Sequence, residues 1–376
     1  MRALSKEKAL FLAIVAIALL YPLEHALLGY GLTGVALSFA AILAVILAAA
    51  FSVAHHAELL AHKYGEPYGT LILTGSAVSV EVIMLAILMQ SSDNPTLVRD
   101  TIYSALMLDI NGILGVAAII GGIKHGEQKY NVDSSNSYIA MILVAVGVSM
   151  FIPDFINQDA WRLYSVFTIV VMITMYVVFT RIQTVDHRYF FEYKYGTQRA
   201  EGHPPHEVSG AYHGLMLFLL IAAIGVLAEL LSVFLNAGIR QTGLPLTLAA
   251  VLVALISASP EILTAIRAAV ENRMQTVINI ALGASLATVL MTVPVIEAIS
   301  LITHTDIIMG LTPLQAAMIL TTMLVAMINF NDGETNSLEG LVHFVLFLAF
   351  AVLIFLVPEG GQALPGLEPV AGGAAQ

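Results

Sequence analysis

Two glutamates lie in the middle of long apolar stretches, and each follows a serine by two positions: Ser79-Val80-Glu81 and Ser257-Ala258-Ser259-Pro260-Glu261. A carboxylate at bilayer depth costs several kcal/mol unless it is protonated, paired or bound to a cation, so such residues mark function by default. Pro260 has no N–H, which leaves the carbonyl of Ile256 without its helical partner. The chemistry open to this pair is the binding of one hard cation between two carboxylates, with Ser79, Ser257, Ser259 and backbone carbonyls as further oxygens. One Ca²⁺ neutralises two carboxylates, and so do two protons. An empty, doubly ionised site is the costly state. Competition of this kind predicts antiport, because the site changes its facing only when it is neutral.

Weaker candidates accompany the pair. Glu58 and Glu229 sit in the repeated tetrapeptide Ala-Glu-Leu-Leu, at 57–60 and 228–231, with Glu58 expected near the cytoplasmic face and Glu229 near the external face. They read either as acids reaching for the interface or as the lining of two access vestibules. His55, Glu58 and His62 share a helical face, as a metal site requires. No HExxH motif is present, and an interfacial histidine cluster is the better reading. Asp109 and Asn111, and Asn279 and Ser285, are polar positions in otherwise apolar runs. They either support the cation's ligands from behind or make helix–helix hydrogen bonds. Glu24, His25 and Glu297 read as interfacial.

The elements that must hold these residues follow from composition. Of 376 residues, 59% are hydrophobic and 11% charged, with a mean hydropathy of +0.88. A soluble domain cannot hide that much apolar surface. The chain is an all-α polytopic membrane protein. There is no cysteine, hence no disulfide or thiolate metal site, and the net charge of −11 argues against nucleic acid. Segments of about 20 apolar residues span a bilayer. They predict eleven spans, near 9–29, 32–60, 70–90, 98–123, 137–154, 162–180, 212–236, 246–271, 274–302, 311–330 and 338–357. The second is over-long and is expected to break or run out of the membrane near His55–His62. The N-terminus reads as the first span and not as a signal peptide. Only Arg99, Arg162 and Arg240 fall on the far side of such a topology. The positive-inside rule therefore predicts a cytoplasmic N-terminus and an external C-terminus.

The organisation is a leading helix (1–31), a five-helix repeat (32–180), a polar cytoplasmic connection (181–211), a second five-helix repeat (212–357) and a flexible tail (358–376). Five is odd, so the second repeat enters from the opposite side, which predicts an inverted pair with its site at the midplane. The segment Asn331–Gly340 joins spans 10 and 11. It predicts a helix start capped by Thr335 or Asn336 with Glu339 in the first turn, while Asp332 and Glu334 are candidates for recruiting cations.

These residues resemble the calcium/cation antiporter superfamily. The likeness rests on Glu81 and Glu261, the paired Ala-Glu-Leu-Leu, Ala281-Leu282-Gly283-Ala284-Ser285 and Asp332-Gly333-Glu334-Thr335-Asn336. The Ca²⁺/H⁺ exchanger branch fits best. Its bacterial ChaA-type members are similar through Ser259-Pro260-Glu261 and His62-Lys63-Tyr64-Gly65-Glu66-Pro67-Tyr68-Gly69. The resemblance implies an eleven-span alternating-access transporter with no cofactor, Ca²⁺ as transported substrate at Glu81 and Glu261, and H⁺ as counter-ion, in a prokaryotic inner membrane. Many exchangers carry Gly-Asn-Ala before the glutamate, where this chain has Ala77-Val78-Ser79 and Ser257-Ala258-Ser259. Losing both Asn side chains opens the alternative of a monovalent Na⁺(K⁺)/H⁺ antiporter. An intramembrane metallohydrolase on His55, Glu58 and His62, and a passive cation channel, are rival classes that fit the residues less well.

Overall fold

The protein is represented by a computed structural model that describes residues 7–65, 68–91, 94–157, 159–191 and 209–356. The expected tail at 358–376, and 192–208 of the long connection, lie outside the described residues. Eleven apolar helices account for almost all the rest. Span 1 is Lys8–Gly29, span 2 Gly31–Tyr64, span 3 Tyr68–Ser91, span 4 Leu97–His125, span 5 Val132–Phe155 and span 6 Trp161–Asp186. Span 7 is Gly210–Thr242, span 8 Thr247–Val270, span 9 Met274–Thr303, span 10 Pro313–Asn329 and span 11 Ser337–Leu356. Helices dominate because a bilayer offers no water to satisfy a backbone N–H or C=O, so each segment must satisfy its own.

Span 2 does not break at His55–His62. It runs unbroken to Tyr64, where Gly65 takes a positive φ of 64° and ends it. Span 8 likewise continues through Pro260. Span 6 extends beyond its expected end to Asp186, followed by the short helix Arg188–Phe191, so the connection begins as helix and not as loop.

Spans 4 and 9 form the interior, with 72% and 61% of their central windows buried, against 17% for spans 1 and 11. The outer helices turn Phe11, Leu163, Val170, Val345 and Phe355 outward as exposed apolar surface, which suits lipid rather than water. Spans 2 and 7 are the longest helices, at 34 and 33 residues, and pack side by side. Val35 neighbours Gly238, His56 meets His213, and Lys63 and Tyr64 neighbour Gly210. As one number rises the other falls, so these equivalent helices of the two repeats are antiparallel, as an inverted repeat requires.

Spans 4 and 9 each widen into a π-helical turn, at Met107–Ile113 and Thr288–Thr292. Such bulges shift the helical register and re-aim side chains. A two-residue antiparallel ladder, Gln128–Lys129 with Glu334–Thr335, ties the loop after span 4 to the loop before span 11. Asn336 caps span 11 by accepting from the N–H groups of Leu338 and Glu339. Glu334 is occupied by Lys129 Nζ at 3.1 Å, and Asp332 accepts from the Glu334 N–H. Their observed contacts hold the turn.

Spans 4 and 11 touch backbone to backbone. A Cβ on Gly340 would lie 2.6 Å from Ile119 N and 2.8 Å from Gly115 O. Small residues let membrane helices approach this closely, where hydrophobic burial adds little. Gly340→Leu is expected to cost about 1–3 kcal/mol through overpacking, seen as a lower melting temperature in lipid nanodiscs. An unchanged melt would show that the two helices can separate freely.

Candidate functional site

The two glutamates reach the interior from opposite repeats. Glu81, on span 3, is 4% exposed. Its Oε2 accepts hydrogen bonds from Thr288 Oγ1 at 3.0 Å and Thr292 Oγ1 at 3.2 Å, both on the π-turn of span 9. Its Oε1 is buried and has no partner. Glu261, on span 8, keeps some residue exposure, but its Oε2 is buried without a partner. The two interact electrostatically across the interface of the repeats.

A third acid lies near the pair. Asp109, on the π-turn of span 4, is 2% exposed and accepts from Ser285 Oγ of span 9 at 3.2 Å. The charges of both Glu261 and Glu81 act on it. The arrangement is crossed: the glutamate of the first repeat is held by hydroxyls of the second, and the glutamate of the second faces an acid of the first. Two buried, unpartnered carboxylate oxygens amount to an unmet demand for positive charge. A proton or a metal cation can meet it.

Ser79, Ser257 and Ser259 flank the glutamates, and each donates its proton to a carbonyl of its own helix: Gly75, Ala254 and Leu255 respectively. Their lone pairs remain available as acceptors. Asn111 shares the π-turn with Asp109 but faces elsewhere. Its Nδ2 donates to Thr322 Oγ1 at 2.8 Å, and its Oδ1 lies 3.0 Å from His343 Nδ1, on spans 10 and 11. These contacts do not bring it to the glutamates. Asn279, expected near the same region, donates to the Phe191 carbonyl instead.

Glu58 and Glu229 are exposed. The antiparallel register of spans 2 and 7 separates them by roughly 20 Å along the helix axis. His55 and His62 are also at the surface. The buried histidine is their neighbour His56, 2% exposed and in contact with His213. Among the described residues no three His, Cys, Asp or Glu side chains converge as a resident metal site would. Glu297 corrects an expectation: it is not interfacial but 3% exposed, with a buried, unpartnered Oε2. Sequence reading missed Thr288 and Thr292. Their one signal was a pair of hydroxyls four apart in an apolar run, with nothing to say that a π-turn aims both at Glu81.

Comparison with known proteins decides the family. A model described as "Sodium/calcium exchanger protein" matches twice, over residues 34–185 and 212–356. The chain belongs to this family. The double match coincides with the two five-span repeats, and the protein is therefore a transporter and not an enzyme. ChaA of Escherichia coli, a sodium-potassium/proton antiporter, is 33% identical over 316 residues, covering 82% of this chain and 86% of that one. ChaA of Bacillus subtilis, a Ca²⁺/H⁺ antiporter, is 24% identical over 328 residues, covering 86% and 93%. The crystal structure of the Ca²⁺/H⁺ antiporter protein YfkE superposes with a TM-score of 0.74 at 20% identity, covering 93% of this chain and 99% of that one. The fold is thus that of a cation/proton antiporter.

If the hydroxyls hold Glu81, then Thr288→Val with Thr292→Val should weaken cation half-saturation about tenfold or more, since hydrogen bonds to a charged group are worth about 1.5–3 kcal/mol. Expression and melting should be little changed. Unaltered half-saturation in vesicle transport would place the working carboxylate elsewhere.

Proposed function

We propose that this protein exports Ca²⁺ in exchange for H⁺ by alternating access, with both ions competing for Glu81 and Glu261. The observation that carries the reading is the pair of buried, unpartnered carboxylate oxygens supplied by opposite repeats. One divalent cation or two protons neutralise such a pair equally, and either permits the site to change its facing. Ser79, Ser257 and Ser259 supply lone pairs to the cation, and Asp109 with Ser285 braces the π-turn beside it. Backbone carbonyls and water supply the remaining oxygens that Ca²⁺ demands. Glu58 and Glu229, roughly 20 Å apart along the antiparallel pair, line the two vestibules. Asn111 joins spans 4, 10 and 11 and stands behind the site. The charge asymmetry of the loops supports an N-terminus in the cytoplasm, and the bacterial relatives support a prokaryotic inner membrane.

A second reading is export of Na⁺ or K⁺ on the same scaffold. It is favoured by the 33% identity to a sodium-potassium/proton antiporter and by serines where many exchangers carry Asn. Two carboxylates give the first reading its edge, because a divalent cation displaces both protons at once, whereas one monovalent cation requires a proton to stay on the second carboxylate.

The test is dissipation of a pH gradient in everted vesicles on adding Ca²⁺, Na⁺ or K⁺ separately. A response to Ca²⁺ that Glu81→Gln and Glu261→Gln each abolish, with expression intact, is the expected result. Near-normal transport in either variant would overturn the shared site, and a response only to Na⁺ or K⁺ would replace the substrate. Protons and cation share the carboxylates, so half-saturation for the cation should rise as pH falls. A half-saturation independent of pH would separate the two ions.

A further inference from the structure

A second cluster of titratable groups lies far from the carboxylates and joins three elements. His56 of span 2 is 2% exposed. Its Nε2 lies 3.1 Å from Glu7 Oε2, just ahead of span 1, and its Nδ1 lies 2.7 Å from His213 Nδ1 at the start of span 7. Tyr212 donates its hydroxyl to the other Glu7 oxygen at 2.7 Å. One tautomer assignment satisfies the chain. His56 donates from Nε2 to Glu7 and accepts at Nδ1 from His213.

We propose that Glu7, His56 and His213 form a proton-operated clasp that pins the N-terminal end of the chain across spans 2 and 7 and restrains exchange until acid releases it. One added proton is accommodated. His56 becomes a cation beside Glu7, and His213 accepts with its proton moved to Nε2. A second proton is not: two N–H groups would point at each other across 2.7 Å between like charges. Acidification through the histidine range therefore opens the contact. Glu7 does not open it first. Burial alone would raise its carboxyl, but the hydrogen bonds from Tyr212 and His56 outweigh burial and hold it below the usual carboxylate value. Among the described residues, the other groups acting on the pair are His55 and Lys63 on span 2, and the charge of Lys63 favours opening.

The clasp has a path to the site. Gly225 of span 7 lies against Ile83 and Ile87 of span 3, on the helix that carries Glu81. A contact that stabilises one arrangement of spans 2, 3 and 7 slows departure from it, because a state must be left before the other is reached. Release should therefore speed the conformational step.

The inference rests on the exchange reading for its consequence but not for the clasp itself, so two readouts are needed. The first is hydrogen–deuterium exchange of the amides at 8–13 in nanodiscs, corrected for intrinsic pH dependence. The second is the maximal exchange rate at saturating cation, taken as variant over wild type, from pH 8 to 5.5. In the wild type, amide protection should fall tenfold or more on acidification. His213→Gln can donate to His56 but cannot be charged. It should stay protected and lose the acid-side gain in rate. Glu7→Ala should be unprotected and fast at both pH values. Protection that ignores pH, a His213→Gln profile matching wild type, or protection that falls while the rate ratio stays flat would each overturn the proposal. Failure of the exchange reading would instead show as no rate in the wild type with protection still responding to pH.

Discussion

An uncompensated carboxylate in low dielectric is the constraint on which the rest of this structure depends. Glu81, Glu261 and Asp109 are brought together where water is scarce, and each buried oxygen that lacks a donor raises the cost of the empty, ionised state. A protein pays this only where the instability is used. On the proposed reading, it makes occupancy by protons or by a cation compulsory for any change of facing. Coupling on that reading needs no separate device, since the same energetic penalty opposes movement of the empty site.

The scaffold is arranged to create that site between repeats rather than within one. Spans 2 and 7 run antiparallel, and at the site each repeat contributes one glutamate helix and one π-turn. The crossing of Glu81 onto Thr288 and Thr292, and of Asp109 onto Ser285, means that neither repeat holds a complete site. Relative movement of the repeats must alter the first coordination of both acids. The tight glycine contact of spans 4 and 11 holds an interior helix against its neighbour.

Polar groups that looked alike in the sequence are separated by where they face. Asp109 and Asn111 are two positions apart, yet one looks toward the glutamates and the other toward Thr322 and His343. Glu297 appeared to lie at a helix end but is enclosed, whereas Glu58 and Glu229 are on the surface. Depth along a helix is legible from counting residues. Azimuth is not, once a π-turn has shifted the register.

Much was determined by sequence alone. The eleven spans, the two repeats and the pair of midplane glutamates follow from hydrophobic length and from matched motifs, because a bilayer imposes one local rule on every segment regardless of its neighbours. The continuity of span 2 through its histidines and of span 8 through Pro260, the π-turns, and the partners Thr288 and Thr292 were decided only by tertiary structure. So was the choice of His56 over His55 and His62 as the buried histidine. These depend on which helix faces which, and on hydrogen bonds between residues some 160 to 210 positions apart. No local pattern encodes a contact across the interface of two repeats.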